Sequence, residues 1–183
     1  PRPGMLPLDI TRPGEARGIA MGVRPDVILC PAAEANVDRC EQDPAAGRRL
    51  NHEGLAEVIE AARATGAHLT FYSTDYVFDG EGGPYSEESP VSPINEYGRQ
   101  KVEAEELVRR HSKHLIARTS GVYGWEPQRK NYVVRLLDVL ALGKTMPAWT
   151  DQTLTPTWAA NLAQMTWDLV DQGATGTYHV CGG

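Results

Sequence analysis

Several kinds of protein are excluded by what this chain does not contain. Its three cysteines, Cys30, Cys40 and Cys181, form no CxxC pair, and their odd number argues against a disulfide framework. They read as the reduced thiols of a cytoplasmic protein. No apolar run approaches the roughly 18 residues needed to cross a bilayer. Residues 1–13 hold neither a signal-peptide core nor an initiating methionine. Basic charge is also short: 18 Lys and Arg stand against 24 Asp and Glu, a net charge of −6. A nucleic-acid binder needs a basic face for phosphates, so no nucleic-acid partner is expected. Adhesion to anionic membranes is disfavoured by the same balance. The five histidines are scattered. His111 and His114 would share a helix face without an acidic or cysteine partner at ligand spacing, so they read as surface residues and no metal is expected.

What is present is the composition of an ordinary folded domain: 183 residues, 41% hydrophobic and 23% charged. Short apolar runs alternate with longer amphipathic ones, the pattern of a parallel sheet with crossover helices. Val27 to Cys30 reads as a buried strand. A helix is expected over 51–64, with Leu55, Val58, Ile59 and Ala62 on one face and Gly66 just past its end. A second strand follows over 67–73. Residues 79–93 are rich in glycine and proline and read as a loop, long enough to suggest a functional one. Asn95 is suited to cap a helix over 96–111. A strand over 115–119, helices over 131–142 and 161–170 and a strand over 177–181 complete the series.

Two clusters can carry chemistry. Tyr97 and Lys101 form a YxxxK pair, and with Ala104 and Val108 they share one helix stripe. The pair alone is common by chance, but a lysine at the head of a stripe that faces the sheet needs a reason. A phenol titrating near pH 10 is a poor acid or base until shifted, and a nearby ammonium lowers its pKa. Ser73-Thr74-Asp75 ends the second strand, and parallel sheets bind ligands beyond the carboxyl ends of their strands. The same three residues are also ordinary turn formers.

Together these segments resemble the extended short-chain dehydrogenase/reductase superfamily. The residues that carry the likeness are Ser73-Thr74-Asp75-Tyr76-Val77-Phe78-Asp79-Gly80, then Pro84-Tyr85, and then Asn95-Glu96-Tyr97-Gly98-Arg99-Gln100-Lys101. Within the superfamily they are most similar to the dTDP-4-dehydrorhamnose reductases. Asp9-Ile10-Thr11, Arg24-Pro25-Asp26-Val27, Asn51, Arg118-Thr119-Ser120 and Asp151-Gln152 agree in order, so the likeness covers nearly the whole chain. It implies an α/β fold, a doubly wound Rossmann-type parallel sheet, with a small carboxyl-terminal substrate-binding part. That fold normally opens with a strand, a glycine-rich turn and a helix facing a pyrophosphate. No GxGxxG precedes Val27, so residues 1–183 are expected to be a single NAD(P)-binding domain incomplete at both ends.

The resemblance also implies roles. Tyr97 would protonate the C4 oxygen of a 4-keto-6-deoxy sugar nucleotide while NADPH or NADH delivers hydride. Lys101 would lower the Tyr97 pKa and bind the nicotinamide ribose. Thr74 would orient the keto group, with Asp75 beside the sugar. Asp9 and Ile10 match the family's adenosine-contacting pair, and Ala33, Glu34 and Ala35 match the segment that runs along the dinucleotide. Loops 79–95 and 145–158 would face the sugar nucleotide, and a homodimer fits the family. Gly121 stands where these reductases commonly carry a tryptophan that lines the sugar pocket. Two other readings belong to the same fold: a regulatory subunit like the β subunit of methionine adenosyltransferase, and a sugar-nucleotide epimerase or dehydratase. Tyr76 after Asp75, where dehydratases usually carry an acid, disfavours a dehydratase.

Overall fold

The computed structural model describes residues 5–148 and 150–182. Residues 1–4, at the head of the expected domain, Trp149, in the expected 145–158 loop, and Gly183 lie outside the described residues. Four strands, β1 (Val27–Cys30), β2 (His68–Thr74), β3 (His114–Thr119) and β6 (Gly176–His179), form one parallel sheet in the order β1-β2-β3-β6. Its register sets Cys30 beside Phe71 and Thr74 beside Thr119, so the carboxyl ends of these strands share one edge. A second, two-stranded sheet pairs β4 (Val122–Tyr123) with β5 (Thr157–Trp158) beyond that edge.

The two faces are covered from opposite sides, as the doubly wound reading requires. On one face α1 (Glu15–Val23), α4 (Leu55–Thr65) and α5 (Glu96–Arg109) bury a cluster that includes Ala16, Ala20, Leu55, Ile59, Phe71, Ala104, Val108 and Ile116. On the other, α7 (Ala159–Asp171) covers Ala117 and Val180 through Leu162, with Tyr72, Met165 and Leu169 around them. Removing this apolar surface from water is the main favourable contribution, at about 25 cal/mol per Å². No helix among the described residues is long and apolar enough to cross a membrane.

Four details depart from the sequence reading. β1 is not buried on both faces: Ile28 and Cys30 turn toward the α4 side, while Leu29 points away and is 43% exposed. Strand side chains alternate, and β1 has one strand neighbour among the described residues. The helix expected from Asn51 is longer. It begins at Pro44 as α3 (Pro44–Arg48), which Asp43 caps by accepting from the Ala46 N–H, widens into a π-helical stretch at Arg49–Gly54, and continues as α4. Before it lies α2 (Val37–Gln42), capped by Asn36. α1 has no counterpart in the sequence reading; small side chains at Ala16 and Ala20 let it pack closely on α4. His111 and His114 are not surface residues of a helix. His111 is buried in the α5–β3 connection, where its Nε2 hydrogen-bonds the Ala67 carbonyl at 2.9 Å, and His114 opens β3.

Helices α5 and α6 (Tyr132–Ala141) follow their capping signals. Asn95 Oδ1 accepts from the Gly98 N–H at 2.8 Å and starts α5. Asn131 caps α6 in the same way, through the Val134 N–H at 3.0 Å.

Candidate functional site

β2 ends where its last residue turns out of the sheet. Thr74 is extended, and its hydroxyl accepts from the Tyr76 N–H at 3.2 Å, which starts a 3-10 turn at Asp75–Val77. The same hydroxyl donates to Asp75 Oδ1 at 3.1 Å, while Ser120 Oγ, just past β3, donates to Asp75 Oδ2 at 2.6 Å. Asp75 is thereby held between two strand ends with both carboxylate oxygens engaged. Ser120 was read only as part of a matching segment; its role needed the β2–β3 register to become visible.

α5 brings Tyr97 and Lys101 to the same edge. Its first turn can approach the 3-10 turn that follows β2 because residue 98 is glycine: a Cβ there would lie 2.2 Å from the Tyr76 carbonyl oxygen. Tyr97 is buried and meets the Tyr76 ring edge-on, with centroids 5.9 Å apart. Burial pushes its pKa up to about 12; hydrogen bonding with Thr74 works against this, and the Asp75 charge adds to it. Lys101 is 2% exposed. Its ammonium donates to the Tyr72 carbonyl at 2.6 Å and lies 4.1 Å from the centroid of the Phe71 ring. Burial lowers its pKa to about 8, against the upward pull of Cys30 and Glu105. The expected lowering of the Tyr97 pKa by Lys101 is therefore corrected. Desolvation governs the phenol, and the ammonium is directed at the β2 backbone.

The chemistry of such a pair is definite. A phenol that stays protonated through neutral pH always has its proton in place, but a pKa near 12 also makes it a weaker acid, so donation waits on charge developing at the acceptor oxygen. An ammonium has three N–H donors, and only one is used by Tyr72.

The segment after β1 is held from below by a residue that the sequence matches to the family without giving it a role. Asn51, buried in the π-helical stretch, grips both backbone groups of Glu34: its Oδ1 accepts from the Glu34 N–H at 2.8 Å and its Nδ2 donates to the Glu34 carbonyl at 3.1 Å. The same Nδ2 donates to Gln100 Oε1 at 2.9 Å, which ties this segment to α5 next to Lys101. The fixed segment presents half-buried Ala33 and exposed Ala35. The Glu34 carboxylate turns aside, accepting from the Asn36 N–H at 3.1 Å and pairing with Arg39 at 3.0 Å.

Beside it opens a cleft of about 510 Å³, lined in part by Asp9, Thr11, Glu34, Arg39 and Arg49. Asp9 is braced by Thr11, whose N–H and hydroxyl both donate to Oδ1, and these bonds hold its carboxyl below the usual range. Ile10 does not line this cleft. It is buried in the main core, against Gly54, so its side chain is committed to packing. Gly121, at φ +51, lies beside the Pro156 backbone, a left-handed conformation that side chains rarely adopt. Among the described residues, no group of three or more His, Cys, Asp or Glu is placed to hold a metal.

The structure thus sets Thr74, Asp75, Tyr97 and Lys101 at one end of the sheet. Asp9 and Glu34 share a neighbouring cleft that Asn51 and Gln100 join to the same helix. The RmlD substrate binding domain matches residues 3–183. A dTDP-4-dehydrorhamnose reductase of Salmonella typhimurium is 34% identical over 182 residues, covering 96% of this chain and 60% of that protein. A probable low-salt glycan biosynthesis reductase of Haloferax volcanii is 39% identical over 160 residues, covering 85% and 53%. The crystal structure of a dTDP-4-dehydrorhamnose reductase from Bacillus anthracis in complex with NADP superposes with a TM-score of 0.89 at 33% identity, covering 95% of this chain and 62% of that one. The chain thus spans less than two thirds of the length of each of these relatives.

Proposed function

The chain belongs to the RmlD substrate binding domain family, and from that membership we propose that it carries the catalytic residues of an NAD(P)H-dependent 4-keto sugar-nucleotide reductase. The substrate class is a 4-keto-6-deoxy sugar nucleotide of the dTDP-4-dehydrorhamnose type. The observation that carries this reading is the buried Tyr97 beside Thr74 and Asp75, on the same helix stripe as buried Lys101.

The residues present fit a dinucleotide. A cleft of about 510 Å³ is within the size of small-ligand pockets, and the adjoining rail carries small side chains at Ala33 and Ala35, over a backbone that Asn51 fixes at Glu34. Asp9, Ala33, Glu34 and Ala35 would hold the adenosine side, Ile10 contributing as support. Tyr97 and Lys101 would hold the nicotinamide side, where Lys101 has N–H donors to spare for a ribose hydroxyl. When bound, the reduced nicotinamide supplies the hydride.

The protein's own part is proton delivery and orientation. Thr74 turns its single hydroxyl proton from Asp75 Oδ1 to the substrate carbonyl and keeps it near the phenol. Tyr97, protonated because it is buried, gives its proton to the oxygen as charge develops there. Lys101 keeps one N–H on the Tyr72 carbonyl and turns the others to the nicotinamide ribose, fixing the cofactor beside the phenol. Asp75, fixed by Ser120, positions the sugar hydroxyls. Loops 79–95 and 145–158 form the sugar-nucleotide side, with Gly121 at its margin.

The test is nicotinamide oxidation by the full-length protein, with NADPH or NADH and dTDP-4-dehydrorhamnose. Tyr97→Phe is expected to lose at least about a hundredfold in kcat. Retention of turnover within a few-fold would remove Tyr97 from its role. Oxidation with a different keto-sugar nucleotide alone would replace the substrate and keep the chemistry.

A further inference from the structure

A second buried charge cluster lies behind the site. Glu105, one turn beyond Lys101 on α5, is completely buried, yet its carboxylate is saturated with donors. Ser73 Oγ donates to Oε1 at 2.6 Å, and Arg118 of β3 donates to Oε1 through Nε at 2.9 Å and to Oε2 through Nη2 at 2.8 Å. Arg109 reaches the same Oε2 from the exposed side at 2.8 Å. A fully buried bidentate pair has a high desolvation cost, and hydrophobic residues often replace such pairs without loss of stability. Stability is thus a weak reason for it, and geometry supplies a better one.

Arg118 does more than neutralise Glu105. Its Nη1 approaches the carbonyl of Glu87 at 3.4 Å, and its guanidinium lies 5.2 Å from the centroid of the Phe78 ring. Phe78 stacks face to face on Tyr85, with centroids 4.3 Å apart and planes 2° from parallel. The Glu87 carboxylate in turn accepts from the backbone N–H of His179 at 2.9 Å, at the end of β6. Thus one guanidinium touches the helix that carries Tyr97 and Lys101 and the loop over residues 79–93. Ser73, which shares its carboxylate, immediately precedes Thr74.

We propose that Arg118 and Glu105 are positioning residues that clasp the 79–93 loop to the catalytic helix and so set the sugar-nucleotide side against the proton-donating side. The proposal rests on the reductase reading for its kinetic consequence, but the clasp itself does not. With the clasp intact, the loop enters substrate binding already ordered; without it, ordering must be supplied by the substrate.

Two readouts separate these layers. In the full-length protein, Arg118→Lys keeps the charge but cannot make the fork to Glu105 together with the loop contact. It is expected to raise KM for the keto-sugar nucleotide about tenfold, with KM for the nicotinamide cofactor within about twofold. Arg109→Ala removes a guanidinium from the same carboxylate without touching the loop and should leave both values within about twofold. Independently of activity, a glutamate-specific protease should cut at Glu81, Glu87 or Glu88 several-fold faster in Arg118→Lys than in Arg109→Ala. Tyr85→Leu, which loosens the loop while leaving the ion pair intact, should show the same faster cutting at an unchanged Tm.

Equal cleavage in the three variants would overturn the clasp. So would an Arg118→Lys effect that Arg109→Ala reproduces in full, which would reduce the pair to a stabiliser. Faster cleavage in a protein that never reduces a keto-sugar nucleotide would uphold the clasp and overturn the reductase reading alone.

Discussion

Tyr97 and Lys101 sit one helical turn apart, and burial acts on them with opposite sign. Desolvation disfavours the charged form of each, so it raises the phenol to about 12 and lowers the ammonium to about 8. The alkaline limb of kcat/KM should therefore come from Lys101 and lie near pH 8, with Tyr97 still protonated there. A pH–rate profile flat to pH 10 would contradict this. The same shift has a stability consequence. Between the folded value of about 8 and the ordinary 10.5, the unfolded chain binds more protons than the folded one, so this group's contribution to stability rises with pH across that window. Lys101→Met should lose activity yet melt a few degrees higher than wild type at neutral pH, with the gap closing toward pH 10. Thermal melts at both pH values decide it; a gap that widens with pH would reverse the sign argued here.

Two contacts between elements are made possible by single residues. Gly98 lets the start of α5 press on the Tyr76 carbonyl, where a Cβ would stand 2.2 Å away from a backbone atom that cannot yield. Gly98→Ala should displace Tyr97, cost about 1–3 kcal/mol in a melt and abolish turnover in the nicotinamide assay. Asn51 performs the matching task for the segment after β1. Asn51→Leu leaves two backbone groups of Glu34 without partners, each worth about 1–3 kcal/mol when buried. It should weaken NADP(H) binding, read by fluorescence titration, while the sugar-nucleotide KM stays near wild type. What the sequence revealed at this scale follows from its physics. Asn95, Tyr97, Lys101, Ala104 and Val108 announce a capped helix with one inward stripe, and α5 is where it was expected. Glu105 did not announce itself, because a carboxylate beside an apolar stripe reads as solvated until Ser73 and Arg118 arrive from two strands. Asn51 was visible as a matching position, but its role was not, since its partners lie 17 and 49 residues away along the chain.

Across the molecule, stability should follow the sheet outward. β2 and β3 are central and carry the least exposed side chains, Leu69, Phe71, Leu115, Ile116 and Ala117. Their amides should exchange last with solvent deuterium, those of β1 and β6 earlier, and those of the two-residue strands β4 and β5 earliest. Protection of β4 and β5 equal to that of β2 would show the small sheet folding as one unit with the large one. This ordering also divides labour: Thr74, Tyr97 and Lys101 sit on the rigid centre and the helix packed on it, whereas the expected sugar-nucleotide side lies on loops. A parallel sheet with crossover helices was legible from alternating patterns, and its double winding only through the family resemblance; α1, α2 and the small sheet were not legible, being short or rich in glycine.

The depth of Lys101 has a practical corollary. The chain has four lysines, Lys101, Lys113, Lys130 and Lys144. Lys113, Lys130 and Lys144 lie at the surface, while the fold shields Lys101. Acylating reagents at neutral pH would reach the outer three and spare the inner one, so the protein can be tethered to an amine-reactive support through its lysines with its reactive ammonium chemically untouched.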